Sequence, residues 1–448
     1  MKHLFTIQLL LLLVTTIAKA QTLTGNLKHH TGQHISLTGF NYYDSYELAK
    51  TTIDSLGNFT LNHPKNYKGM GILNTQDANS LVLMLTEPNI VLNGSHLTEL
   101  DSFQFANSRA NTNFISYAKA QGLRSNAMSA LKYIDNLYQK EPLFAKRKEL
   151  KKAIKEEQAY IIKEDAVFVA NLDKDSYLRW FIPYKKLVQD MPAIVRKETQ
   201  RIPEAIQQFR TTDFNHPNFK TSGLFRELIE GHYLLLENMG QSLDSVYAQM
   251  NVSTSYLVNN LKEDPPLLKN TSKELFTYFE KRSLFKVAAH LSATLIQDHQ
   301  DILDDAIRSK MERYVTLKVG NTAPNVQLAD GKTLKDINNN ILLVFGSAEC
   351  PHCTEANKKL LAFYPQWQEK GNIEVVYISI DTNKALYTEE YSQYPWQTYC
   401  NYKGWDTQAA KDYFVDATPS YFLLDKDLKI LMHPRNIEHV NTWVDYRL

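Results

Sequence analysis

The sequence predicts a multidomain chain with an N-terminal β-sandwich, a central α-helical region and a C-terminal α/β domain built on a mixed sheet. Three observations predict it. Short alternating apolar segments punctuated by Gly, Asn and Pro fill residues 21–105. Charge-rich segments with apolar residues at helical spacing fill residues 106–313. From 314 to 448 continuous apolar runs alternate with helical periodicity, the pattern of strand–helix–strand units. A chain of 448 residues has room for roughly two to four such domains.

Residues 1–20 stand apart. Lys2 supplies a positive charge, Leu4 to Ile17 is mostly apolar, and Ala18-Lys19-Ala20 has the small-x-small form of a cleavage site. This reads as a secretory signal, with the mature chain starting near Gln21. The stretch is short for a membrane span, and no second run of about 18 apolar residues follows, so no integral membrane segment is expected after signal removal. No cysteine follows the cleavage site to carry a lipid. Removing residues 1–20 takes away Lys2 and Lys19 and no acid, so the formal charge moves from +1 to −1. Such a balance offers no general attraction for nucleic acid, and no nucleic-acid partner is expected.

In the first region Ile35 and Leu37 alternate with polar neighbours, as do Phe59 and Leu61 after the Gly57-Asn58 turn. Leu81 to Leu85 and Ile90 to Leu92 are denser runs, separated by Glu87-Pro88-Asn89. The spacing predicts a small antiparallel sandwich. No group of catalytic residue types stands out in it, which favours a binding or docking module.

In the second region Lys146 to Lys155 is basic, but Glu149, Glu156 and Glu157 interleave with it. That is a solvated helix face with i,i+4 pairs rather than a nucleic-acid patch. Leu224, Leu228, Leu235 and Leu236 mark one helix, and Leu284, Val287, Leu291 and Leu295 another. Pro265-Pro266 predicts a break between helices. A spacer, a dimerisation surface and a substrate-facing wall all remain open as roles.

In the third region Val326 and Leu328 before Asp330-Gly331 predict a hairpin, and Ile341 to Phe345 a buried central strand. Ala356, Leu360, Tyr364 and Trp367 then recur at helical spacing, and Ile373 to Ile380 form a second buried strand. A polar, aromatic-rich insertion and a short helix near Thr407 to Tyr413 follow. Tyr421 to Leu424 and Lys429 to Met432 form a hairpin around Asp425-Lys426-Asp427, and a last helix starts near Ile437. Asp381, just beyond the second strand, is expected to cap the next helix.

Cys350-Pro351-His352-Cys353 falls where the central strand ends and its helix begins, and contains two of the three cysteines. Unpaired N–H groups and the helix dipole stabilise a thiolate there. Two thiols on one first turn can also close into a disulfide with little backbone movement. This specifies a redox dithiol. A protonated His352 would favour the thiolate, whereas a charged Glu349 nearby would oppose it. His433 and His439 lie too far along the chain for a compact zinc finger to close on the cysteine pair, so no metal is expected. Cys400, inside the aromatic insertion, is read first as a small buried apolar group and second as a resolving thiol.

The strand-then-CxxC pattern, with Ala417-Thr418-Pro419-Ser420 before a later strand, resembles the thioredoxin-like fold. The resemblance is greatest to the exported TlpA/ResA branch, with AhpC/TSA-type redoxin domains close by. The whole layout is similar to multidomain thiol–disulfide oxidoreductases exported by Bacteroidetes-type bacteria. The resemblance implies a periplasmic, soluble enzyme that exchanges electrons with protein thiols and disulfides and with a redox partner protein. No cofactor is implied, because the electrons travel in the sulfurs. It implies that Cys350 attacks and Cys353 resolves, that Pro419 is cis against the active-site disulfide, and that the Thr418 backbone pairs with substrate. The Pro351-His352 dipeptide is shared with strongly oxidising DsbA-type proteins. Departures are specific: Glu349 replaces the usual Trp, Gly346 an aromatic, Val344 the buried Asp of thioredoxins, and Ala356 the Glu of many ResA-type proteins. Two alternatives stay open, a thiol peroxidase using Cys350 with Cys353 or Cys400, and a binding or scaffold protein with an inactive redoxin domain.

Overall fold

The computed structural model describes residues 21–144 and 146–447; the signal read in residues 1–20 lies outside the described residues. The chain divides into two compact units, one through Ser242 and one from Leu243, a division that falls within the region read as helical.

The first unit opens with β1 (Gln21–Leu27), β2 (His34–Asn41), β3 (Asp44–Thr52), β4 (Asn58–His63), β5 (Met70–Thr75), β6 (Ser80–Met84), β7 (Ile90–Gly94) and β8 (Gln104–Ala106). They form two four-stranded sheets, ordered β4-β1-β7-β8 and β3-β2-β5-β6. Leu23, Phe59 and Leu92 of the first and Leu37, Leu73 and Leu83 of the second share one buried core. The sandwich is not wholly antiparallel: β1 and β7 run parallel, with Leu23 opposite Ile90. Alternation reports which face is buried but not strand direction, so the sequence pattern could not show this.

Helices α1 (Arg109–Lys140), α2 (Lys148–Ala170), α3 (Tyr177–Arg196), α4 (Ile202–Phe209) and α5 (Phe225–Glu237) complete this unit. Ser108 caps α1, and the buried Asn111 side chain bridges Met84 N–H and C=O at 2.7 and 2.8 Å, tying α1 to β6. Leu228, Leu235 and Leu236 of α5 are fully buried, as their spacing requires.

The second unit begins with α6 (Leu243–Leu261), α7 (Pro265–Lys281), α8 (Phe285–Asp298) and α9 (Asp305–Thr316). Pro265 opens α7 after the Asp264 cap, where a missing N–H costs no helical bond. Among the described residues no helix is long and apolar enough to cross a membrane. The hairpin expected around residues 326–333 reduces to a single bridge, Gln327 to Thr333. The chain just before it bonds elsewhere: Gly320 N–H reaches Ile430 C=O and Ala323 N–H reaches Leu428 C=O.

The rest forms β9 (Asn340–Gly346), α10 (Pro351–Gly371), β10 (Ile373–Ser379), α11 (Lys384–Tyr391), β11 (Gln397–Cys400), α12 (Gln408–Asp412), β12 (Ser420–Leu424), β13 (Ile430–Met432) and α13 (Ile437–Arg447). The sheet order is β11-β10-β9-β12-β13. β10 is parallel to β9 and β11, while β12 is antiparallel to β9 and β13. β9 is central and buried on both faces. Leu342 and Val344 pack under α10 and α13, against Leu360, Trp367 and Val440, and Leu343 and Phe345 enter the opposite core with Tyr413 and Phe422. Trp367 Nε1 donates to Asn441 at 3.0 Å, pinning α10 to α13. Asn372, in the left-handed region at φ 45°, ends α10 and turns the chain into β10.

Candidate active site

β9 delivers the chain to the carboxyl end of the sheet, where Ser347, Ala348 and Glu349 form a short loop and Cys350 caps α10. Pro351 occupies the first helical turn, where its fixed φ suits the helix and no N–H is lost. The Cys350 sulfur takes the place of a capping oxygen and accepts from the Cys353 N–H at 3.2 Å. Cys350 is half-buried and Cys353 fully buried, and both are free thiols.

The two thiols have opposite electrostatics. Burial works against a Cys350 thiolate, but hydrogen bonds from the Cys353 and Thr418 side chains and from the Cys353 and His352 N–H groups outweigh it. They hold the Cys350 pKa below the ordinary thiol value. Burial pushes the Cys353 thiol up to about 12, and its hydrogen bond with Cys350 adds to the rise.

Thr418 and Pro419 come from the loop before β12, and the peptide bond between them is cis. The Cys350 thiol donates to the Thr418 carbonyl at 3.5 Å, so residues 68 positions apart are brought together. His352 and Glu349 flank the cysteines on the exposed side. His352 acts on Cys350 through its backbone N–H, while the Glu349 N–H turns back to Ser347 Oγ at 3.2 Å.

Asp381 is not the helix cap that its position suggested. Asn383 caps α11, accepting from Ala385 and Leu386 N–H. Asp381 is only 3% exposed and reaches across the sheet end. Its carboxylate accepts from Ser347 Oγ at 2.6 Å, Ala348 N–H at 2.9 Å and Ser379 Oγ at 2.6 Å. It thus clamps the loop that carries Cys350 to the end of β10. The sequence marks Asp381 only as an acid just beyond a buried strand; its partners, one strand over, are not in the local pattern. Cys400 ends β11 opposite Ser379, and its thiol donates to the Asp381 carbonyl at 3.3 Å.

A second group with metal-ligand residue types, His30, Asp77 and His96, lies in the sandwich. The Leu97 N–H donates to His30 Nε2 and the Thr98 N–H to His96 Nδ1, both at 3.3 Å. In a neutral His30 ring Nδ1 then carries the proton, whereas a metal needs a lone pair there. His30 Nδ1 instead faces Gln33 Oε1 at 3.4 Å and Asp77 at 3.6 Å.

Residues 338–430 match a family described as thioredoxin-like. Solved structures similar to the chain include a thioredoxin-like protein from Bacteroides caccae, at 14% identity and a TM-score of 0.39, covering 54% of this chain and 88% of that one. A thiol-disulfide oxidoreductase from Bacteroides fragilis is 23% identical at a TM-score of 0.26, covering 29% of this chain and 100% of the other. A thiol:disulfide interchange protein from a Bacteroides species is 22% identical at a TM-score of 0.26, covering 30% and 91%. No curated protein matches the sequence.

Proposed function

We propose, from the premise that the C-terminal domain is thioredoxin-like, that this protein is an exported, periplasmic thiol–disulfide oxidoreductase acting on protein thiols through Cys350 and Cys353. The observation that carries the reading is the asymmetry of the pair. One sulfur is accessible, sits at a helix start and favours its thiolate, and the other is buried one turn on and holds its proton.

That asymmetry supports a two-step exchange. The Cys350 thiolate attacks a partner disulfide, forming a Cys350–partner S–S bond and expelling the partner's other sulfur as a thiolate. Cys353 then attacks the Cys350 sulfur, closing the Cys350–Cys353 disulfide and expelling the second partner sulfur. The Cys353 proton ends on a departing partner sulfur, and two electrons pass from the dithiol to the partner. The reverse sequence oxidises a partner dithiol, so the same geometry serves either direction. Thr418 and Pro419 orient the partner beside the attacked sulfur, and His352 and Glu349 tune the field around it. The signal read in residues 1–20 supports export.

Cys353→Ser should accumulate mixed disulfides with a protein substrate on non-reducing gels, while Cys350→Ser should lose exchange altogether. Trapping by Cys350→Ser and not by Cys353→Ser would reverse the assignment of attacker and resolver. Hydrogen peroxide turnover outpacing disulfide exchange would replace this reading with a thiol peroxidase.

A further inference from the structure

Cys353 must lose its proton inside the protein, yet the central strand and the helix offer it apolar neighbours, Val344 and Ala356. Tyr377 of β10 lies directly opposite Val344 of β9, on the sheet face covered by α10. Its ring runs along the strand until the hydroxyl sits over Gly346, the last residue of β9 before the cysteine loop. A Cβ added at Gly346 would lie 1.8 Å from the Tyr377 oxygen. Gly346 does not have a positive φ, so the glycine serves space and not backbone conformation.

From the helix side, Asn357 follows Cys353 by four residues and so shares its inward face. Asn357 is 2% exposed, and its side chain faces the Tyr377 and Tyr394 hydroxyls, yet its Nδ2 makes no well-formed hydrogen bond among the described residues. Tyr377 is fully buried, and its hydroxyl meets the Tyr391 hydroxyl of α11 at a long 3.4 Å. Natural cores rarely leave a buried donor idle, and such a group asks for an acceptor that forms only part of the time.

We infer that Tyr377 and Asn357 are positioning residues that donate hydrogen bonds toward Cys353 as its thiolate forms. The inference rests on the dithiol reading above. Burial raises the Tyr377 pKa far above its ordinary value, with the Tyr391 hydroxyl and the Cys353 charge adding to it. The phenol therefore stays protonated and acts as a donor, not a base. Burial likewise raises Tyr391 of α11 and Tyr421 of β12, and both feel charge at Cys353; Tyr421 also feels Cys350. The carboxylates that act on these phenols are Asp381 and Glu390, on Tyr391, and Glu438, on Tyr421. Charge at Cys353 is thus felt by three buried phenols, and its cost depends on how their hydroxyls and the Asn357 amide are turned.

Single-turnover reaction of the reduced full-length protein with dithiobis(nitrobenzoate), in a Cys400→Ser background, separates the two sulfurs. The first nitrothiobenzoate released reports attack by Cys350, and the second reports resolution by Cys353. Tyr377→Phe and Asn357→Leu should leave the first phase unchanged and slow the second by about tenfold, with its pH midpoint moved up by about one unit. Asn357→Leu removes a buried amide without a well-formed hydrogen bond, so thermal stability should change little even as resolution slows. A second phase of unchanged rate and pH midpoint in both variants would overturn the inference. Absence of a second phase in the unsubstituted sequence would instead overturn the dithiol reading on which it stands.

Discussion

The two β regions of this chain treat polar groups in opposite ways. In the sandwich, β2 and β4 alternate buried and open residues along their length. In the C-terminal sheet, β9 and β10 are buried almost throughout. A strand with one open face can leave its polar side chains in water, whereas a strand covered on both faces must satisfy them internally. Asp77 and Asp381 show the difference. Asp77 accepts from Thr75 Oγ1 and faces His30, yet its side chain is 41% exposed. Asp381 is enclosed and bonded on both oxygens to the loop before the dithiol. Where the sheet is covered, fixed polar geometry accumulates, and the reactive pair sits at that end.

Asp381→Ala and Asp77→Ala test this contrast and carry the largest expected effect. Removing Asp381 strands the Ser347 and Ser379 hydroxyls and the Ala348 N–H, so urea unfolding should show a loss of about 2–5 kcal/mol. Cys350 attack should slow as its loop loosens. Asp77→Ala should leave exchange unchanged, and its effect on stability should depend on pH. The Thr75 hydroxyl is the main cause that holds the Asp77 pKa down at about 2, with Asn79 and Gln33 assisting. A depressed carboxylate contributes stability above its unfolded pKa of about 3.9, and that contribution disappears as pH falls through the folded value. The gap between Asp77→Ala and the unsubstituted sequence should therefore close towards pH 2. Equal unfolding losses for the two variants at neutral pH would break the comparison.

The same contrast explains what was legible in advance. Ile341 to Phe345 could be read as a covered strand because all five residues are apolar, and Cys350 and Cys353 because residue type and spacing announce them. Thr418 and Pro419 were legible through resemblance. Asp381 and Tyr377 were not, because their roles depend on partners one strand over. Asp381 needs Ser347 on the neighbouring strand's loop, and Tyr377 needs the gap at Gly346; neither register nor side-chain reach is written in local periodicity. The parallel β1–β7 pair was hidden for a related reason, since direction comes from the chain's route and not from alternation.

His352 sharpens the comparison at smaller scale, because it sits at the covered end of the sheet but points outward. Its backbone N–H is what reaches the Cys350 sulfur, and alanine keeps that group. The imidazole is exposed, where salt and water screen any charge on it. His352→Ala should therefore make the disulfide less oxidising by no more than ~30 mV, equivalent to ~1.4 kcal/mol for two electrons. A glutathione titration measures it. A shift of several times that size would mean that the side chain, and not the helix start, controls the thiolate.

Cys400→Ser should have the smallest effect, although Cys400 lies close to the Asp381 clamp. Its thiol is committed to the backbone, donating to the Asp381 carbonyl at 3.3 Å and accepting from the Tyr402 N–H at 3.4 Å. A serine hydroxyl can make both bonds, so the turn after β11 should survive the substitution. Unlike Cys350, Cys400 ends a strand and caps no helix. Exchange rate and reduction potential should stay unchanged, and mass spectrometry of the oxidised protein should show one link, Cys350 to Cys353. A Cys350–Cys400 link after peroxide treatment would show that the loop beyond Asp381 opens far enough to bring a third sulfur into the cycle. The covered end of the sheet would then be a moving part rather than a fixed frame, and peroxide reduction would become the better account of the site.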